Sequence, residues 1–432
     1  MTRQAALPIS LLLIAYLVVG ALFAVRTPLW QAPDEPAHYN YIRQLAQDGC
    51  CPTIQLGDWD SALLDSLKAE RFAAAGDLSS IQYEDHQPPL YYLLQTPLFL
   101  LTQGSVIALR LGSVILGAGI VLAAYAITRL LLPQQPTLAL ATAALVAFLP
   151  QHVAILASIN NDALGNLLVA LTLLALLHHL QGAAVRPWHL GVLVGIGLLT
   201  KVSTIFLAGL VPLMFIIQAV WVQRVALTVL VRRLIAFALP ALLLGGLWWL
   251  RSISVYGFPD LFGLRQHDLV VTGQPRTAEL IDQIGFVPYL GRALQTTFNS
   301  FWGQFGWMGV PMPAWIYTLL LILCALALTG LLWRSLTHRP APHRRLLWLP
   351  LLFTLLLAVL QYLYYNLVFL QLQGRYMFTG LIPFALFIVL GVDRWRAAIP
   401  RLPALLTLLP FLLFIPLDLY LLWRVIVPAL AP

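Results

Sequence analysis

The chain has 432 residues, of which 60% are hydrophobic and only 10% charged, with a formal net charge of +8. A soluble domain of this length cannot hide that much apolar surface, so composition excludes it and gives a polytopic membrane protein. Apolar runs near twenty residues recur where a closed barrel needs short alternating strands, and the class is therefore all-α.

A first span is expected at 8–25, followed by a long polar loop over 26–105. Within that loop a helix is expected from Asp34 or Glu35 with Pro36 at its start and Gly49 at its stop. A second begins near Asp60, carries Leu63, Leu64 and Leu67 on one side, and ends at Gly76. Both are amphipathic, so they are expected along the membrane surface, as is the short aromatic stretch 88–103. Further spans are expected at 106–128, 137–157, 163–181, 188–206, 207–223 and 232–250. A second long loop over 251–312 precedes spans at 313–333, 346–366, 376–392 and 402–423, about eleven crossings in all.

Charge orients this stack. With the N-terminus inside, the short inner loops hold thirteen arginines, from Arg3 to Arg401, against the single acid Asp393. Loop 26–105, on the other side, holds ten of the 17 acids. This asymmetry is the positive-inside pattern, and it accounts for the basic balance without nucleic acid as a partner. The expected location is the plasma (inner) membrane of a bacterium, with a cytoplasmic N-terminus and both long loops on the outer face. Cys50 and Cys51 are adjacent in the outer loop, where only a vicinal disulfide joins them, and no C-x-x-C metal spacing is present.

Several charged residues at the outer ends of spans are not needed for topology. Asp34 and Glu35 follow the first span in WQAPDEPAHYNY, and Glu84, Asp85 and His86 precede Pro88-Pro89. Arg110 opens the second span, Asp162 sits in SINNDAL, Lys201 in GLLTKVST and Arg375 in QGRYMF. Charges beside hydrocarbon are costly and point to function, although Asp34 alone also suits a helix cap and lone cations at span ends commonly snorkel. Taken together, carboxylates and cations on one face with an apolar route for lipid suit one reaction. A sugar on a polyprenyl phosphate needs a carboxylate to deprotonate the acceptor hydroxyl and cations to hold the departing phosphate. Asp34 offers the base, with Glu35 beside it, and Arg110, Lys201 and Arg375 offer the clamp. Glu84, Asp85, His86 and Asp162 are candidates for an acceptor or metal site. With Asp34 and Glu35 they supply hard ligands for magnesium or manganese, so a divalent cation stays open.

Two other readings share the membrane setting. A transporter or flippase of a lipid-linked anion would need polar mid-span residues and pseudo-repeated halves, whereas the mid-spans here are Leu, Ala, Val and Ile. A polyprenyl-linked oligosaccharide polymerase or ligase is expected to carry its large outer loop late in the chain, not after the first span. The stretch TFNSFWGQFGWMGVPMP at 297–313 reads either as an interfacial aromatic belt or as a mobile sugar-stacking wall.

Asp34-Glu35 after the first span, Gln87-Pro88-Pro89-Leu90-Tyr91-Tyr92, Arg110-Leu111 and Leu199-Thr200-Lys201 resemble the GT-C membrane glycosyltransferases. The resemblance is to the family 39-like enzymes, with protein O-mannosyltransferases and aminoarabinose transferases as relatives. PDEPAHY, FWGQFGW at 301–307 and QGRY at 373–376 resemble a poorly characterised bacterial branch of that superfamily. The resemblance implies a GT-C-like bundle with a catalytic module over 1–231, including loop 26–105, and a variable helical module over 232–432, including loop 251–312. It implies that Asp34 is the catalytic acid, Glu35 its neighbour in a paired-acid motif, and Lys201 a contact to donor phosphate. Gln87 stands where the family often has His or Lys before Pro-Pro, which argues against a ligand role there. Larger members carry a soluble outer domain after the last span, and this chain ends at Pro432. Acceptor recognition, whether of a glycan, a lipid or a protein, is therefore expected from 26–105 and 251–312.

Overall fold

A computed structural model describes residues 3–73, 78–337 and 342–432. Nine helices among them are long and apolar enough to span a membrane, and a tenth is gained if one bent pair counts as a single span. The spans are Leu7–Arg26, Val106–Leu131, Asp162–Leu180, Val202–Gln223, Leu227–Tyr256, Ala314–Thr337, Leu346–Asn366, Gly374–Ala397 and Leu409–Leu430. The bent pair, Pro136–Phe148 and Pro150–Leu156, turns by 61°. Its cause is Pro150, which lacks an N–H and crowds the preceding turn. The expected span at 188–206 is instead a 12-residue helix, Pro187–Leu198, about 18 Å long at 1.5 Å per residue. A turn at Leu199–Lys201 then feeds the next span through a 3-10 turn, Val202–Ile205. Apart from one two-stranded pairing at 304–311, the described residues with regular structure are helical.

Helices meet where small residues let backbones touch, because lipid tails offer no hydrophobic contrast between helices. The crossing of Ala314–Thr337 with Leu381–Ala397 runs through Gly330 and Gly391. A Cβ on Gly391 would lie 1.9 Å from the Ala327 carbonyl oxygen, and one on Gly330 would lie 2.1 Å from the Gly391 oxygen. Leucines of the Leu227–Tyr256 helix, among them Leu239, Leu243, Leu247 and Leu250, point outward to lipid.

The outer loop after the first span is built from short helices. Glu35–Gln47 runs to Asp48 and a left-handed Gly49, and it lies under other elements, with Ala37, Tyr41 and Ile42 fully buried. Ser61–Ala69 is capped by Asp60, whose carboxylate accepts from the Leu63 N–H at 2.9 Å, and it buries Leu64 and Leu67. The expected stop at Gly76 lies outside the described residues. Leu90–Leu101, 12 residues long, packs on Glu35–Gln47 and on Val106–Leu131. A vicinal disulfide joins Cys50 and Cys51.

Candidate active site at the outer end of the bundle

The Trp30–Glu35 turn divides the two neighbouring carboxylates between different tasks. Asp34 has a backbone φ of 67°, a left-handed geometry that Asp tolerates better than most residues. Its side chain does not cap the following helix. Oδ2 instead accepts from Arg375 Nη2 at 2.6 Å, and Oδ1 accepts from the Tyr83 hydroxyl at 3.0 Å. Burial works against ionisation of Asp34, but Arg375 and the two hydrogen bonds hold its carboxyl below the ordinary range.

Arg375 reaches this position because the QGRY segment docks on the aromatic stretch. A Cβ on Gly374 would stand 2.5 Å from Phe301, and the Gly374 N–H donates to Ser300 Oγ at 2.8 Å. Only glycine fits that approach. Arg375 itself is buried, and its Nε and Nη1 groups have no hydrogen-bond partner. Phe301, Trp302 and Phe305 are buried in the bundle at 7%, 1% and 4% exposure, so they form neither an interfacial belt nor a mobile stacking wall. Trp307 ties the same stretch to the site turn by donating to the Trp30 carbonyl at 3.0 Å.

A second ion pair joins Lys201 Nζ and Asp162 Oδ1 at 2.7 Å. It bridges the start of one span and the turn before another, and that turn is fastened to the Pro-Pro segment by Leu90 N–H donating to the Leu199 carbonyl at 3.0 Å. Between the pairs lies His38, which shares a hydrogen bond with the Tyr92 hydroxyl at 2.8 Å. Burial holds the His38 imidazole down at about 3, within the fields of Asp34, Lys201, Asp162 and Arg375. The fields of Asp34, Lys201, Asp162 and Arg375 therefore all reach one neutral histidine. Asn161 adds an amide donating weakly to Tyr92 and Gln87, at 3.3 and 3.4 Å, and its Oδ1 has no partner.

Glu35 and Arg110 stand apart from this group. Arg110 Nε and Nη2 donate to the two Glu35 oxygens at 2.7 and 2.6 Å. Nη1 donates to the carbonyls of Ala24 and Thr27, and Nη2 also reaches Pro28. All five guanidinium N–H groups are thereby used. Glu35 also accepts from the backbone N–H groups of Trp30 and Ile159, and both side chains are fully buried. This pair clamps the outer ends of three segments together, and neither member has a free atom for a substrate.

The remaining candidates face different ways. Glu84 is pushed up to about 7, first by burial and then by Asp34, and its Oε2 has no partner. Asp85 turns toward Gln44, which donates to it at 2.8 Å, and burial pushes it up to about 8. His86 packs against His267, with ring centroids 4.5 Å apart. Asp162 is taken by Lys201. Among the described residues no group of three or more His, Cys, Asp and Glu side chains is arranged to hold a metal ion. Sequence reasoning passed over Tyr83, Asn161 and His38 as partners. The signal for them was weak, since each lies one to four residues from a named acid.

A family model for dolichyl-phosphate-mannose-protein mannosyltransferases matches residues 86–248. Among solved structures, ArnT from Cupriavidus metallidurans in the apo state is similar at 16% identity and a TM-score of 0.54, over 98% of this chain and 73% of that one. The same protein bound to undecaprenyl phosphate gives 15% identity and 0.52, over 100% and 74%. The fold is that of the GT-C superfamily. An oligosaccharyltransferase from Archaeoglobus fulgidus, in complex with Zn and sulfate, is more distant at 13% identity and 0.49, with this chain spanning 52% of its length. A comparison with curated protein sequences returned no match. The family match and the GT-C fold support a multi-pass membrane glycosyltransferase.

Proposed function

We propose that this protein transfers a sugar from a polyprenyl-phosphate-linked donor to an acceptor hydroxyl at the outer face of the plasma membrane. The observation that carries the reading is the state of Arg375, buried and ion-paired to Asp34 yet with Nε and Nη1 unbonded. Two unbonded guanidinium nitrogens beside a carboxylate suit an oxyanion next to a base. A phosphate oxygen bound there accepts from Nε–H or from Nη1–H, on either side of the Nη2 group that keeps Asp34 in position. Lys201 adds a point charge to the same group as negative charge grows on the leaving phosphate. Asp34, ionised and one-quarter exposed, accepts the proton of the attacking hydroxyl. Arg110 and Glu35 supply the rigid frame and take no part in binding or proton transfer. The arginine-rich inner loops support an inside N-terminus and an outward-facing site.

The test is incubation of purified protein with a panel of polyprenyl-phosphate sugars, scoring release of free lipid phosphate. At least one donor is expected to turn over, and Asp34→Asn is expected to lower that rate by about a hundredfold or more. Wild-type turnover in Asp34→Asn, in protein of unchanged stability, sinks the assignment of the base. Failure of every donor with the wild-type protein sinks the donor class.

A further inference from the structure

The outer turns of the Leu227–Tyr256 helix carry polar groups that the reaction above does not use. Thirty helical residues extend about 45 Å against about 30 Å of hydrocarbon, so the helix is longer than the apolar layer is thick. Trp248 and Ser252 lie one turn apart on the protein-facing side and are 3% and 0% exposed. Trp248 Nε1 and Ser252 Oγ have no hydrogen-bond partner, and neither does Nη1 of Arg251 between them.

Arg251 is held firmly. Its Nη2 donates to the carbonyls of Cys51, at 2.9 Å, and Pro52, and its guanidinium lies 4.6 Å from the Trp248 ring and 5.8 Å from that of Tyr256. The Tyr256 hydroxyl accepts from the Ile54 N–H at 3.1 Å. Within the field of Arg251 are Tyr41 and Asp85. Asp85 is fully buried, with Oδ2 bonded to Gln44 and Oδ1 without a partner. Three unpaired donors therefore sit on the 227–256 helix where Arg251 ties it to the first outer loop, and the unpaired Asp85 oxygen lies within the field of Arg251. Buried polar atoms in native structures nearly always find partners, so an orphaned set with mixed donor and acceptor character points to a ligand.

We infer that Asp85, Trp248, Arg251 and Ser252 form a subsite for the hydroxyl-bearing ring of a carbohydrate, the acceptor side of the transferase reading on which this inference rests. Mixed donors and acceptors match ring hydroxyls, each of which both gives and takes a hydrogen bond. Location agrees as well, because Asp85 is the chain neighbour of Glu84, whose carboxyl lies in the field of Asp34. The subsite thus adjoins the proposed base across the Glu84–Asp85 backbone.

Binding is measured without turnover, by saturation-transfer NMR of the full chain in detergent with methyl α-D-glucopyranoside, methyl α-D-mannopyranoside and methyl β-D-galactopyranoside. At least one is expected to bind saturably to wild type. Trp248→Phe, which removes the indole N–H and keeps an aromatic ring, and Ser252→Ala are each expected to weaken it about five- to tenfold, and together by more. Unaltered elution and melting of the variants separate lost contacts from lost folding. Failure of all three glycosides to bind wild type, equal affinity in the variants, or binding of inorganic phosphate that no glycoside displaces would each overturn the inference. Glycoside binding lost in Ser252→Ala while no polyprenyl donor turns over removes the donor class and leaves the subsite. Donor turnover with no glycoside binding does the reverse.

Discussion

Arg110→Met is the most discriminating single change in this protein, because two roles for Arg110 predict opposite outcomes. As a phosphate clamp, its loss weakens donor use and leaves the fold intact. As the structure has it, Arg110 spends every N–H on Glu35 and on the carbonyls of Ala24, Thr27 and Pro28. Met fills similar volume but leaves Glu35, 0% exposed, with only the Trp30 and Ile159 N–H groups. Removing one partner of a buried ion pair costs about 3–5 kcal/mol, most of it the desolvated charge left behind. Glu35→Gln in the same protein removes that charge, so the double variant is expected to recover about 2 kcal/mol or more in a double-mutant cycle. Equilibrium unfolding of the purified protein in mixed micelles measures both. The reasoning fails if Arg110→Met unfolds like wild type while donor turnover falls, for then Arg110 belongs to the clamp after all.

Arg375→Ala is expected to lower turnover by about a hundredfold, and Arg375→Lys to recover only part of that, because a single ammonium cannot hold Asp34 and a phosphate oxygen in fixed directions from one planar group; equal rates for Lys and wild type would remove the need for the guanidinium. Asp85 and Glu84 have carboxyls raised to about 8 and about 7, so each binds a proton in the folded state at pH values where the unfolded chain has lost it. Stability is therefore expected to fall as pH rises from about 5 to 8, by a few kcal/mol in all, and Asp85→Asn is expected to flatten that slope; an unchanged melting profile against pH in the variant would contradict the burial argument. A cysteine at the exposed Leu56 is expected to label in intact cells, and one at the exposed Arg401 only after the membrane is opened. Labelling of position 401 from outside would invert the proposed orientation.

The architecture was legible because hydropathy and arginine placement act on whole segments, where a few misjudged residues do not matter. What misled at the segment level was length. Residues 188–206 read as one apolar run, but the Leu199–Lys201 turn is fastened to Leu90 and divides it. Individual side chains were harder. A cation at a span end reads the same whether it snorkels, holds a ligand or pairs inward, and the partner of Arg110 lies 75 residues away at Glu35. The aromatics of 301–307 looked interfacial because sequence cannot show that Gly374 permits a backbone to press against Phe301 and bury them. Lys201 and Arg375 offered no more sequence signal than Arg110. They differ from it only in having carboxylate partners within the same polar group at the outer end of the bundle.

The adjacent acids of the first loop show why a like-charged pair is tolerable beside hydrocarbon. Two neighbouring carboxylates repel if they share a space, and burying both without partners would be prohibitive. The left-handed backbone at Asp34 sends the two side chains to separate cations, one from the second span and one from the QGRY turn. Glu35 is saturated, so its pair anchors the turn at the helix start. Asp34 is one-quarter exposed, and its arginine keeps two nitrogens, Nε and Nη1, without a partner. A loop carrying Asp34 alone would hold its carboxylate on a free hinge, and one carrying Glu35 alone would be rigid with nothing to offer a substrate. The pair divides structure from chemistry within two residues, and exchanging them, Asp34→Glu with Glu35→Asp, should damage both. The shorter side chain would no longer span to Arg110, and the longer one would crowd Tyr83 and Arg375. A swapped protein with wild-type stability and turnover would mean that the charges matter and their geometry does not.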